Sequence, residues 1–122
     1  MDCSRWWRRN RRSLDAKLEG ANFTGGLSIG HAMTAATLAT AEYNLAIGAT
    51  ALDALTSGGY NVAVGYDALS AISTGNKNTA VGYGAGSLGS SHNHYNASLG
   101  YAAGQNTGNS NVAVGYFAGK WM

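Results

Sequence analysis

The chain of 122 residues contains 18 Gly and no Pro, and its formal net charge is +2. Its hydrophobic fraction of 45% and charged fraction of 11% exclude intrinsic disorder, which needs low hydrophobicity with high net charge. Many of the apolar residues are Ala, so one copy buries little surface and we expect self-association. The single Cys3 excludes an internal disulfide, and no apolar run reaches the roughly 20 residues that span a bilayer.

Residues 1–20 form a basic N-terminal segment. Arg5, Arg8, Arg9, Arg11 and Arg12 surround Trp6 and Trp7. Such interleaving is typical of peptides that bind nucleic acids or membrane surfaces, but we prefer a solvated tail and predict no specific nucleic-acid partner. No apolar stretch follows, so no signal peptide is recognisable. A short helix capped by Ser13, covering 14–18 and ending at Gly20, is predicted.

Residues 21–122 form a repeat domain in which the text Asn-x-Ala-x-Gly recurs. The copies begin at Asn44, Asn61, Asn78, Asn96 and Asn111, and a weaker copy, Gly26-Leu-Ser-Ile-Gly30, precedes them in phase. A period near 17 is too short for helix-pair repeats and suits one coil of a β-solenoid. The sequence therefore predicts an all-β fold, a parallel β-solenoid or β-roll of about six coils that start near 26, 44, 61, 78, 96 and 111.

The second half of each coil allows an alternative architecture. Leu52 with Leu55, and Leu69 with Ile72, lie three residues apart, which also suits one helical turn. A coil of one strand plus one turn of helix is therefore a second possibility, although it too would be a solenoid.

Alternation along the strand predicts which side chains face the core. Positions 2 and 4 of the motif are mostly larger and apolar, and we expect them to form the core column: Leu45, Ile47, Val62, Val64, Thr79, Val81, Ala97, Leu99, Val112 and Val114. Positions 1, 3 and 5 carry Asn, Ala or Ser, and Gly. This face is small enough for close approach of another backbone, so it is the predicted chain–chain contact.

Three columns of repeated residues are candidate structural or binding elements. The Asn residues, together with Gly48, Gly65, Gly82, Gly100 and Gly115, are predicted to form a structural ladder, because stacked amides satisfy one another and the turn backbone. A ligand-binding Asn row is the alternative. The third column contains Tyr66, Tyr83, Tyr101 and Tyr116, which either cover the coil edge or stack on sugar rings.

The sequence carries no recognisable catalytic or cofactor motif, so we predict a non-enzymatic protein without a cofactor. No Ser/His/Asp set, paired carboxylates or phosphate loop is present, and Gly82-Tyr-Gly-Ala-Gly86 recurs as ordinary repeat text. His92 and His94 have spacing that would place two rings on one side of an extended segment, as in a metal site. They lie in a polar turn, which favours solvent exposure instead.

The text Asn-x-Ala-x-Gly-Tyr-x-Ala-Leu resembles repeats of phage tail-fibre proteins. It is also similar to the head repeats of trimeric autotransporter adhesins, which form a parallel β-roll, although the present repeats are longer. The resemblance covers about residues 26–118. It implies an intertwined homotrimer in a virion tail fibre or on an extracellular surface, with a structural or host-attachment role. A glycan- or surface-binding module that uses the Tyr column or the turn loops is the alternative function.

Overall fold

The computed structural model describes residues 16–18, 25–30, 40–87, 92–105 and 108–120. Seven three-residue strands form a single sheet in chain order. They are β1 (Ala16–Leu18), β2 (Leu27–Ile29), β3 (Leu45–Ile47), β4 (Val62–Val64), β5 (Thr79–Val81), β6 (Ala97–Leu99) and β7 (Val112–Val114). Within these ranges no helix is long and apolar enough to cross a membrane.

Strands β2 to β7 are parallel and pair in the register of the repeat. Ala46 lies opposite Ala63, which in turn lies opposite Ala80, so equivalent positions of successive copies stack directly. The chain winds through a β-solenoid of about 4 turns and contains no helix in the part that is described. The prediction of an all-β parallel solenoid is confirmed, and the strand-plus-helix alternative is wrong.

Consecutive tight turns, rather than a helical turn, carry the chain away from each strand. The Ala51 N–H donates to the Gly48 carbonyl, and the Asp53 N–H donates to the Thr50 carbonyl. Thr50 and Leu52 have φ angles of 60° and 55°, as the third residue of a type II turn requires. Leu52 tolerates this left-handed conformation because its side chain is then fully buried inside the coil.

The two faces of the sheet are oriented opposite to the prediction. Ala46 and Ala63 are at most 1% exposed, whereas Val112 and Val114 are 72% and 65% exposed. The predicted core column of motif positions 2 and 4 therefore points outward, and the small face predicted to contact another chain is the interior. A coil of this length encloses one layer of large side chains, and Leu52, Leu55, Leu69 and Ile72 from the turns occupy it.

The predicted N-terminal helix is wrong where the structure describes it. Residues 16–18 form β1, which pairs antiparallel with β2 so that Lys17 lies opposite Ser28. An uncovered edge of a parallel sheet leaves N–H and C=O groups unpaired, and β1 satisfies those of β2. A helix of so few residues is marginal in water. The rest of that predicted helix and the Arg/Trp segment lie outside the described residues.

Candidate functional site

A ladder of buried asparagines runs through the interior of the solenoid. The Asn61 backbone N–H and its Nδ2 both donate to Asn44 Oδ1, at 2.9 and 3.1 Å. The same arrangement links Asn78 to Asn61, Asn96 to Asn78 and Asn111 to Asn96. The side chains of Asn44, Asn61, Asn78 and Asn96 thus each accept two hydrogen bonds from the next coil. The structure brings together all five predicted Asn residues in this way.

The ladder also fastens each strand to the turn that follows it. Asn44 Nδ2 donates to the Gly58 carbonyl and Asn61 Nδ2 to the Gly75 carbonyl, both at 2.9 Å. Asn78 Nδ2 donates to the Asn93 carbonyl at 2.8 Å. Because these amides are buried and fully used inside the chain, they are not available to an external ligand. The geometry favours the structural interpretation of the Asn row over the binding one.

The glycine at the end of each strand permits the close stacking of coils. The five glycines of this column, Gly48, Gly65, Gly82, Gly100 and Gly115, have φ angles between 125° and 134°. A Cβ added to Gly65 would lie 2.5 Å from the Gly82 carbonyl oxygen. Any side chain at that position would separate the two coils. From Gly48 to Gly100 the column is therefore a steric requirement of the fold.

A second, outer hydrogen-bond ladder was missed by the sequence analysis. It involves the residue two positions before each ladder asparagine. The Gly59 N–H donates to Asn76 Oδ1, the Asn76 N–H donates to His94 Nδ1, and the His94 N–H donates to Asn109 Oδ1, at 2.7 to 3.0 Å. The signal in the sequence was the Asn at positions 76 and 109, in phase with the inner ladder.

This outer ladder also gives His94 a structural role. Its Nδ1 accepts a backbone hydrogen bond at 3.0 Å, so that nitrogen is occupied within the coil stack. His92 is exposed in the same turn. Across the described ranges, no group of three or more His, Cys, Asp or Glu side chains could hold a metal ion. The metal-like spacing of His92 and His94 is therefore not joined by a third ligand in this part of the chain.

Two columns of exposed tyrosines flank the strands. The first tyrosine column, Tyr43, Tyr60 and Tyr95, immediately precedes the ladder asparagines and was not predicted. The second tyrosine column is the predicted one, in which consecutive rings stack with centroids 5.1 to 5.3 Å apart and planes within 17°. Stacking turns the ring faces of the second column toward one another, so edges and hydroxyls face solvent. Stacking of sugars on these rings stays a prediction.

Between the tyrosine columns lies what we call the aliphatic face. It consists of the outward side chains of β2 to β7. They are Leu27, Ile29, Leu45, Ile47, Val62, Val64, Thr79, Val81, Ala97, Leu99, Val112 and Val114. All of them are half-buried or exposed, and none is charged. A flat apolar surface of this kind is a candidate interaction surface.

No protein-family model, curated protein or solved structure matches the chain. The resemblance to tail-fibre and adhesin repeats therefore remains an interpretation of the repeat text itself. What the geometry defines is a class of architecture, a β-solenoid with an internal asparagine ladder and an outward aliphatic face.

Proposed function

We propose that the chain is a non-enzymatic structural segment of a fibre, of the tail-fibre or adhesin-stalk type, that supports attachment to a host or surface. In this proposal six coils form each protomer, and three protomers assemble through their aliphatic faces. The trimer is supported by the resemblance of the repeat text. The contact surface is supported by the orientation of the sheet.

The observation that carries the proposal is the aliphatic face. Six rows about 4.8 Å apart, each three residues wide at about 3.3 Å per residue, cover roughly 290 Å². This is the size at which an exposed apolar patch commonly marks an interaction site. Covering it would contribute roughly 7 kcal/mol per chain at about 25 cal/mol per Å², before the cost of association.

The repeat also makes the face suitable for a second copy of itself. Parallel in-register pairing places equivalent side chains directly above one another in successive coils. Two copies aligned along the solenoid axis would therefore match row for row, without burying a charge. A rigid stack of coils with such a seam is suited to transmitting force along its axis, as a fibre segment must.

Native mass spectrometry and sedimentation of the whole chain test the proposal. Wild type should be trimeric at micromolar concentration, and the double variant Val62→Glu, Val64→Glu should be monomeric because it places two charges in the seam. Ala54→Glu is the matched control, since Ala54 is exposed in a turn away from the strands, and it should keep the trimer.

A wild-type chain that remains monomeric at those concentrations would overturn the proposal. So would a Val62→Glu, Val64→Glu variant that keeps the wild-type mass, because the contact would then lie elsewhere. Far-UV circular dichroism of both variants establishes that the solenoid is retained. The glutamates point to solvent in an isolated chain, so we expect them to be tolerated there.

A further inference from the structure

The second tyrosine column holds four phenol rings in a continuous stack on the outside of the solenoid. Tyr83 lies between Tyr66 and Tyr101 with centroid distances of 5.1 Å on both sides, and Tyr116 follows Tyr101 at 5.3 Å. The interplanar angles are 8° to 17°. The four side chains are 46% to 76% exposed. No described residue forms a hydrogen bond with their hydroxyls.

We propose that this column is a site of oxidative cross-linking, at which a one-electron oxidant joins tyrosines of successive coils as dityrosine. The oxidant class is a peroxidase with hydrogen peroxide. This modification does not depend on the fibre role proposed above, because the stacked pairs lie within one chain. Its consequence is a covalent link between coils that are otherwise held by hydrogen bonds and side-chain packing.

The reaction balances with peroxide as the electron acceptor. Each of two neighbouring tyrosines loses one electron and its phenolic proton, which gives two phenoxyl radicals. The radicals form one carbon–carbon bond between their Cε atoms, the ring carbons ortho to the oxygen-bearing carbon. The hydrogen on each of those carbons then moves to the oxygen and restores both phenols. The two electrons and two protons released reduce one hydrogen peroxide to two water molecules.

The geometry favours coupling between stacked tyrosines over coupling to a tyrosine that stacks on no other. Strand pairing before the tyrosines, and the hydrogen bond from the Gly84 N–H to the Tyr66 carbonyl after them, hold neighbouring rings in contact, so a second radical forms beside the first at high effective concentration. The exposed hydroxyls can transfer electrons to an oxidant without opening the fold. A bond from Tyr66 to Tyr83 would also close a loop in the unfolded chain, which raises stability in the way a disulfide does.

Other tyrosines of the same chain provide internal comparisons. Tyr95 stacks on no other tyrosine: its ring is tilted against His94 at 6.2 Å, and Lys77 Nζ lies 5.2 Å from its centroid. It is 58% exposed, so an oxidant reaches it as readily as the column. Tyr43 and Tyr60 stack at 5.1 Å, and we expect that pair to couple as well.

The experiment treats the folded full-length chain with peroxidase and hydrogen peroxide, then maps cross-linked peptides by mass spectrometry and dityrosine fluorescence. Links between neighbours in the column should exceed links to Tyr95 by at least about tenfold, as expected for a proximity effect. Tyr83→Phe should abolish the links of Tyr66 and of Tyr101 to position 83 and retain the Tyr101–Tyr116 link. Tyr95→Phe should leave the column links unchanged.

Two further arms make the result decisive. In urea the preference for column pairs should disappear, because it depends on the folded stack. A mixture of light and ¹⁵N-labelled chains should give column links without mixed isotope pairs. Cross-links spread evenly over all seven tyrosines, links that form mainly between chains, or no links under conditions that couple free tyrosine would each overturn the proposal.

Discussion

The coils that begin at Asn44 and Asn61 differ from those that begin at Asn78 and Asn96 in what fills them. The N-terminal pair encloses Leu52, Leu55, Leu69 and Ile72, all at most 3% exposed. The C-terminal pair has glycine at the positions equivalent to Leu52 and Leu69. Its buried side chains include Ser87, Ser98 and Gln105. The strand register is nevertheless the same in both.

The comparison distinguishes the residues that determine the shape of the coil from the residues that mainly stabilise it. The asparagine ladder and the glycine column run through both pairs, whereas the described residues of the C-terminal pair contribute no buried Leu or Ile. Where the filling is lost, polar groups partly replace it: Gln105 Nε2 donates to Ser87 Oγ at 3.1 Å and to the Gly84 carbonyl at 3.2 Å. A small cavity, lined in part by Leu69, Ile72 and Ser98, marks the change from one filling to the other. We infer that the ladder fixes the shape and that the apolar layer mainly adds stability.

The largest expected effect is therefore from breaking the ladder at its centre. Asn61→Ala removes the acceptor of the Asn78 N–H and the donor to Asn44 Oδ1 and the Gly75 carbonyl. Buried groups left without partners cost about 1–3 kcal/mol each, so we expect a loss of about 4 kcal/mol in the free energy of unfolding. Urea denaturation followed by circular dichroism measures it.

Asn111→Ala is the matched comparison at the last described rung. Asn111 is only half-buried, and its Oδ1 accepts no hydrogen bond from the residues that the structure describes. Its removal should cost about 1 kcal/mol. If both substitutions lower the free energy of unfolding by the same amount, the inner ladder does not determine the shape of the coil.

The next effect tests the filling itself. Leu69→Ala in the N-terminal pair should lower the free energy of unfolding by about 3 kcal/mol, because it removes a buried side chain and leaves a cavity. Ser98→Ala in the C-terminal pair should change it by less than about 1 kcal/mol, since Ala occupies the equivalent position in the neighbouring strands. Equal losses in the two variants would show that the two interiors contribute alike.

The strand register of the solenoid was predictable because the sequence motif repeats in phase. Asn and Gly recur in phase from Asn44 to Gly115, and in-register stacking follows directly from that. The orientation of the sheet was not predictable from alternation alone, which marks two faces without saying which is inside. The rule that larger apolar residues are buried failed for Val62 and Val64, because the narrow interior was already filled by Leu and Ile from the turns.

The prediction of a short N-terminal helix was wrong for a related reason. Capping signals near Ser13 favour a helix locally, but pairing of Lys17 opposite Ser28 depends on a sheet edge that is created only when the repeats fold. The first tyrosine column was overlooked because its residues precede the motif and because the equivalent positions of the other two copies are Lys77 and Ser110. Their shared left-handed φ angles, from 55° to 61°, become evident only in the structure.

The smallest effect concerns the outer ladder, which crosses from one pair of coils to the other at His94. Asn76 and Asn109 occupy the equivalent positions in the adjacent coils, so His94→Asn should preserve an acceptor for the Asn76 N–H. We expect the free energy of unfolding to change by less than about 0.5 kcal/mol. His94→Leu keeps a side chain of similar bulk without an acceptor and should cost about 1 kcal/mol.

Hydrogen exchange gives a local measurement of the same effect. The Asn76 amide should exchange faster in His94→Leu than in wild type and at the wild-type rate in His94→Asn. The Asn78 amide, which donates to Asn61 Oδ1 in the inner ladder, should be unaffected by either variant and serves as the control. Faster exchange at both amides in His94→Leu would mean that the two ladders open together. The outer ladder would then determine the shape of the coil together with the inner ladder, rather than act separately at the surface.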